Sequence, residues 1–115
     1  MNQNFYSVFR DETIENVSIL MVKKKVNHLP VVSEGKLEGI VTSWDITKAV
    51  TCKITELNEI ITRDVRYVHG DDKIETASSI MENYSISALP VIDLENRIIG
   101  MVTSDSISAL IGKFR

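Results

Sequence analysis

DETIENVSILMVKKKVNHLPV, residues 11–31, returns at an offset of 60 without a gap as DDKIETASSIMENYSISALPV, residues 71–91. Asp11/Asp71, Ile14/Ile74, Glu15/Glu75, Ser18/Ser78, Met21/Met81, Leu29/Leu89, Pro30/Pro90 and Val31/Val91 are identical. One inserted residue later, GIVTSWDITKAV from Gly39 matches GMVTSDSISALI from Gly100. A unit of this size is too short to enclose a core alone and must bury its apolar face on a neighbour. The 115 residues are therefore expected to form one α/β (α+β) domain of two repeats, residues 1–55 and 56–115, related by a pseudo-twofold axis. Function is expected where the copies meet.

Each copy reads as strand, helix, strand, strand, helix. A short apolar segment (residues 5–9; 65–68) leads into an Asp-rich turn. Asp11, Glu12 and Thr13, and Asp71, Asp72 and Lys73, are placed to cap a helix and to add early negative charge. Ile14, Val17, Leu20 and Met21, and Ile74, Ala77, Ile80 and Met81, recur at the three-and-four spacing of an amphipathic helix whose stripe is core. Strands around HLPVV and ALPVI follow, with Pro30 and Pro90 opening them. Polar turns, second strands LEGIVT and RIIGMVT, and closing helices at 44–52 and 105–112 complete the copies. Gly39 and Gly100 interrupt apolar strands, which marks a bulge or the close approach of a backbone or ligand. The join at 51–63 has helical spacing and is expected to pack.

Composition narrows the function. A formal charge of −3 disfavours a nucleic-acid surface. Lys23, Lys24 and Lys25 read as a solvated helix end that complements the C-terminal dipole. The single Cys52 cannot form an internal disulfide and lacks zinc-site spacing, which suits a reduced, cytoplasmic setting. No apolar run approaches the ~20 residues of a membrane span. Two histidines, His28 and His69, and Cys52 without a basic partner supply no nucleophile–base–acid set, so no enzyme is expected and no metal site. Neither a GxGxxG nor a Walker lysine motif occurs.

Thr42-Ser43-Trp44-Asp45 stands where a strand ends and a helix begins. S/T-x-x-D before an apolar run is a capping box, and the same carboxylate can accept hydrogen bonds from adjacent sugar hydroxyls. The residues alone leave both roles open.

The doubled pattern, NHLPVV with GIVTSWD and SALPVI with GMVTSDS, resembles a tandem pair of CBS domains, a Bateman module, over nearly the whole chain. More narrowly, VNHLPVV and GIVTSWDITKAV resemble the CBS pairs of archaeal homocysteine-biosynthesis-type proteins, some of which bind S-adenosylmethionine and methylthioadenosine. The resemblance implies a regulatory module that senses an adenosyl ligand in clefts between repeats. It also implies a homodimer formed by helix contacts and readout by a fused or associated enzyme. The first strand stands close to Met1, and the sequence leaves open whether the chain is a fragment of a longer protein.

Carried over residue by residue, the resemblance gives a first site of Ile40, Thr42, Asp45, Ile61, Arg66, Ile86, Ser87 and Ala88, with His28 and Trp44 where other members hold phosphates. Asp45 would bind the ribose diol and Thr42 would line the sugar. The plainer readings are that Ile40, Ile61 and Ile86 are core, Ser87 and Ala88 are small residues near a strand crossing, and Arg66 is a surface charge. A second site would use Tyr6, Val26, Asn27, Met101, Thr103, Asp105 and Ser106. There Ser106 stands where the pattern has aspartate, so weaker ribose binding is expected. A neutral imidazole and an indole hold polyphosphate poorly but suit a sulfonium or thioether. This favours S-adenosylmethionine or methylthioadenosine over AMP or ATP. The rivals are an AMP/ATP energy sensor and a ligand-free dimerisation scaffold with Trp44 packed inward or on a partner.

Overall fold

The computed structural model describes residues 5–105 and divides into two compact units, Tyr6–Val65 and the described residues from Arg66 onward together with Phe5. In the first unit, α1 spans Ile14–Lys24, β1 His28–Ser33, β2 Lys36–Thr42 and α2 Ser43–Thr51, followed by a 3-10 turn at Leu57–Glu59. The second repeats the order with β3 at Val68–His69, α3 at Ile74–Tyr84, β4 at Ala88–Ile92 and β5 at Ile98–Thr103, after which Ser104 and Asp105 are helical. The remainder of the expected last helix lies outside the described residues, as does Ser106.

A buried strand organises each unit. Leu29, Pro30 and Val31, and Leu89, Pro90 and Val91, are all fully buried. In the first unit β1 runs antiparallel to β2 and makes one parallel bridge, Val8 with Val31, to the leading segment. In the second, β4 lies between parallel β3 and antiparallel β5. Both prolines stand third in their strands rather than opening them. Their tolerance inside a strand has a local cause. Pro30 faces Ile40, whose N–H and C=O both bond to Thr62, at 2.9 and 3.0 Å, so β2 asks nothing of the proline nitrogen. On its other edge the Pro30 carbonyl accepts from Val8 N–H at 3.1 Å, and the missing donor ends the ladder there.

The glycines fall at matching irregularities. The register shifts between Val31 and Val32 beside Gly39, and between Val91 and Ile92 beside Gly100. A Cβ on Gly39 would stand 2.7 Å from the Thr62 carbonyl oxygen and would collide with the Ile61 side chain. The close approach is thus of backbone, in the segment that follows the first repeat. Glu38, at this bulge, pairs with Arg10 at 2.9 Å and with Arg63 at 3.7 Å, joining the leading and following segments through one carboxylate.

Several sequence expectations need correction. The join is not a helix but a 3-10 turn, although it packs: Leu57 is fully buried, and Ile54, Ile60 and Ile61 lie against the first core. Thr13 caps α1 by accepting from Asn16 N–H, whereas α3 has no side-chain cap. Asp72 instead accepts from His69 N–H at 2.8 Å and closes the preceding turn. Ile14 is 5% exposed but Ile74 is 41% exposed. Ile14 is covered through a bond from its N–H to Thr55 C=O and the Thr13–Glu56 bridge.

The Gly39 geometry gives a direct test. Gly39→Ala is expected to lower unfolding free energy by roughly 1–3 kcal/mol, because the added methyl overpacks backbone that cannot rotate away. Urea denaturation followed by circular dichroism measures it, and an unchanged midpoint would show that the 62 segment does not hold its place against β2.

Candidate functional site

The junction between β2 and α2 follows from competing demands on backbone groups. A helix start leaves its first N–H groups unpaired, and a short side chain with an oxygen satisfies them at low entropic cost. Thr42 does so: its Oγ1 accepts from Asp45 N–H at 3.2 Å. Asp45 answers with Oδ2, which accepts from Thr42 N–H at 2.9 Å and from the Thr42 hydroxyl at 3.0 Å. This capping box uses both acceptor positions of Oδ2 and leaves Oδ1 outside it. The carboxylate is part-buried and held by two donors, so its direction is set before any ligand arrives.

Strand pairing brings further candidates to the same place. His28 lies opposite Thr42, and Pro30 opposite Ile40. The bonds between Ile40 and Thr62 set Ile61 beside β2, and Ser43 N–H donates to the Asn27 carbonyl at 2.9 Å. Burial lowers the proton affinity of His28, with the charge of Asp45 pulling the other way, so the imidazole is neutral at pH 7. Trp44 points away from the first core and is 67% exposed. Ile40 and Ile61 are only half-buried, and Ile61 packs on the first core, so its plain reading as core is partly right.

The second unit builds the corresponding junction. Ala88 lies opposite Thr103, and Ser104 N–H donates to the Ser87 carbonyl at 2.9 Å. Ile86 packs on the second core, Ala88 is buried and Ser87 is exposed. Met101 is buried, and Asp105 follows Thr103 by two residues where Asp45 follows Thr42 by three. The units thus gather the candidates in two groups. His28, Ile40, Thr42, Trp44, Asp45 and Ile61 share the first with Tyr6, Val26 and Asn27. Arg66, Ile86, Ser87 and Ala88 share the second with Met101, Thr103 and Asp105.

The sequence reading missed one feature in each group. Lys24 Nζ lies 5.1 Å from the centre of the Tyr6 ring, and the Arg66 guanidinium lies 4.3 Å from that of Tyr84. The plain reading of Arg66 as a solvated charge is therefore incomplete. The repeat offset of 60 pairs Tyr6 with Arg66 and Lys24 with Tyr84, so the signal lay in the alignment of the two copies. Among the described residues no group of three His, Cys, Asp or Glu could hold a metal ion, and no helix is long and apolar enough to cross a membrane.

Comparison with known proteins places this architecture. Residues 1–51 and 57–113 each match the CBS domain. Over 115 residues, 99% of the chain, it is 76% identical to a homoserine O-acetyltransferase of Methanosarcina acetivorans, of which it covers 21%. It is 45% identical over 94% of its length to the protein of the same name from Methanocorpusculum labreanum, covering 22% of that protein. The chain thus spans about a fifth of these relatives. Among solved structures, it resembles the CBS domain pair of protein MJ0100 in complex with 5′-methylthioadenosine and S-adenosyl-L-methionine. The TM-score is 0.93 at 37% identity, covering all of this chain and 94% of the other. The cytosolic domain of the Mg2+ channel MgtE in complex with ATP follows at TM-score 0.81 and 28% identity, over 92% of this chain and 44% of that one. Two successive domain matches and a fold shared along the entire length establish that the chain belongs to the CBS domain family, as a tandem pair.

Proposed function

We propose that the chain is a regulatory module, not a catalyst, that binds an adenosyl ligand, with S-adenosylmethionine or methylthioadenosine preferred. One observation carries the reading: a carboxylate fixed by a capping box, with Oδ1 of Asp45 left for ribose hydroxyls, beside a neutral His28 and an exposed Trp44. The solved CBS pair with methylthioadenosine and S-adenosylmethionine, at 37% identity, supports the ligand class, and the 28% identical ATP complex keeps AMP and ATP as the alternative.

In this proposal Asp45 accepts the ribose hydroxyls and Thr42 lines the sugar. Ile40, Ile61, Ile86 and Ala88 supply apolar contact to adenine, and the backbone at Ser87 supplies polar contact. Trp44 packs on the sulfur end, where an indole face attracts a sulfonium by roughly 0.5–2 kcal/mol. Tyr6, Val26, Asn27, Met101, Thr103, Asp105 and Ser106 form a weaker second set. Exposed apolar side chains on α1 and α2, Ile19, Val22 and Val50, support pairing of two modules as a homodimer. The protein that reads the ligand is a transferase of the kind named in the longer relatives, whose equilibrium between states shifts by the differential affinity of the module. A scaffold filled by its own side chains is disfavoured by the exposure of Trp44.

Calorimetric titration with S-adenosylmethionine, methylthioadenosine, AMP and ATP tests the reading. Saturable binding of the sulfur ligands in preference to ATP is expected; silence from all four would leave a scaffold. Asp45→Asn is expected to weaken every adenosyl ligand by about tenfold or more, since a charged acceptor bond contributes about 1.5–3 kcal/mol. Equal binding by the variant would remove Asp45 from the sugar.

The proton on His28 separates the ligand classes. Burial lowers its proton affinity, so methylthioadenosine binding is expected to stay flat from pH 8 to about 6.5 and not to strengthen below it. Binding that strengthens on acidification, with the effect lost in His28→Asn, would mark an imidazolium meeting phosphate and favour AMP.

A further inference from the structure

Each hairpin carries one residue that its bulge leaves unpaired. Val31 faces Gly39 and Val32 faces Leu37, so Glu38 has no partner across the ladder. In the second repeat Val91 faces Gly100 and Ile92 faces Ile98, which leaves Ile99. A bulge takes such a side chain out of the strand's alternation and re-aims it. The two are aimed alike. Glu38 meets Arg10, and Ile99 Cδ1 stands 3.1 Å from where a Cβ would be on Gly70, the residue that matches Arg10 at the offset of 60. The second repeat thus closes the same place with an apolar contact, and the bulge itself does not require a charge.

A carboxylate is costly there. The Glu38 side chain is only 16% exposed, and its Oε1 is buried and accepts no hydrogen bond among the described residues. A group so placed lowers stability unless its charge is met. Arg63 Nη1 faces Oε1 at 3.7 Å, while Nη2 of the same guanidinium donates to Asn58 in the 3-10 turn. Residues 60–63 form a strap on the edge of β2. Two backbone bonds between Thr62 and Ile40 hold it, together with Ile61 over Gly39 and the pairing of Arg63 with Glu38.

We propose that Glu38 is an ionic latch that holds this strap on β2 and releases it when its charge is screened. The first unit ends at Val65 and the second begins at Arg66, so the strap is the chain's passage out of the first unit. The latch sets how much of that passage is anchored. Arg10 and Arg63 are 58% and 48% exposed, which leaves both pairs open to dissolved ions. The strap therefore loosens as salt rises, while the buried strand beneath it stays folded.

The amides of Ile40 and Thr62 donate to each other's carbonyls, so their hydrogen exchange reports the strap directly. Exchange is followed by NMR on the whole chain, with Leu20 inside α1 as the reference for global unfolding. Glu38→Gln keeps the shape and removes the charge. It is expected to speed exchange at Thr62 and Ile40 by about twofold to fivefold relative to Leu20. Raising sodium chloride from about 0.05 M to about 0.5 M is expected to do the same in the parent chain and to add nothing in the variant, a salt dependence that a packing role would not produce. Arg63→Gln is expected to match Glu38→Gln at Thr62, an independent route should that variant not fold. Unchanged protection at Thr62 and Ile40, or a rise shared equally by Leu20, would overturn the inference.

Discussion

Everything in each repeat is placed by one fully buried strand, Leu29-Pro30-Val31 in the first and Leu89-Pro90-Val91 in the second. Burial of a leucine and a valine contributes roughly 1.5–3 kcal/mol apiece, a large share for so small a unit. That burial fixes the register, because a slip by one residue would turn the apolar set to the wrong face. With the register fixed, His28 must stand across from Thr42, and Ala88 across from Thr103. The segment before the strand then lies beside the start of the next helix, where Asn27 and Ser87 carbonyls take the N–H groups of Ser43 and Ser104. Packing at one end of the chain of causes delivers polar chemistry at the other.

That chemistry is economical in residues. Thr42 and Asp45 first solve the problem of unpaired donors at a helix start, a stabilisation of about 1 kcal/mol for such a cap. Because the box saturates Oδ2 and not Oδ1, the same carboxylate remains able to accept from outside. Capping and ligand contact, which the sequence presented as rival roles, are compatible on separate oxygens. The second repeat lacks this arrangement among its described residues, since Asp105 falls one position nearer to Thr103 than the box requires.

The repeat, the order of elements and the family were legible because an offset of 60 aligns identical residues at buried positions, Met21 with Met81 and Leu29 with Leu89. Glycines at bulges were legible for the same reason. Features that depend on a neighbouring segment were not. The spacing of the join suggested a helix, yet its apolar residues pack as a 3-10 turn against the first core, where the bonds of Thr62 to Ile40 hold it extended. Ile74 looked like core by periodicity and is exposed, since a helix stripe is buried only where something covers it. The candidate site was readable as residue types at Thr42, Asp45 and His28, but the lowered proton affinity of His28 comes from burial, and the hold of Tyr84 on Arg66 from a contact between positions 18 apart.

The account stands on Asp45 serving helix and ligand together, and a crystal structure of the chain with methylthioadenosine tests that most directly. It predicts Oδ1 within about 2.5–3.2 Å of the ribose hydroxyls, with the Oδ2 bonds to Thr42 intact. A ligand that lies away from Asp45, or one that reaches it only by breaking the capping box, would contradict it.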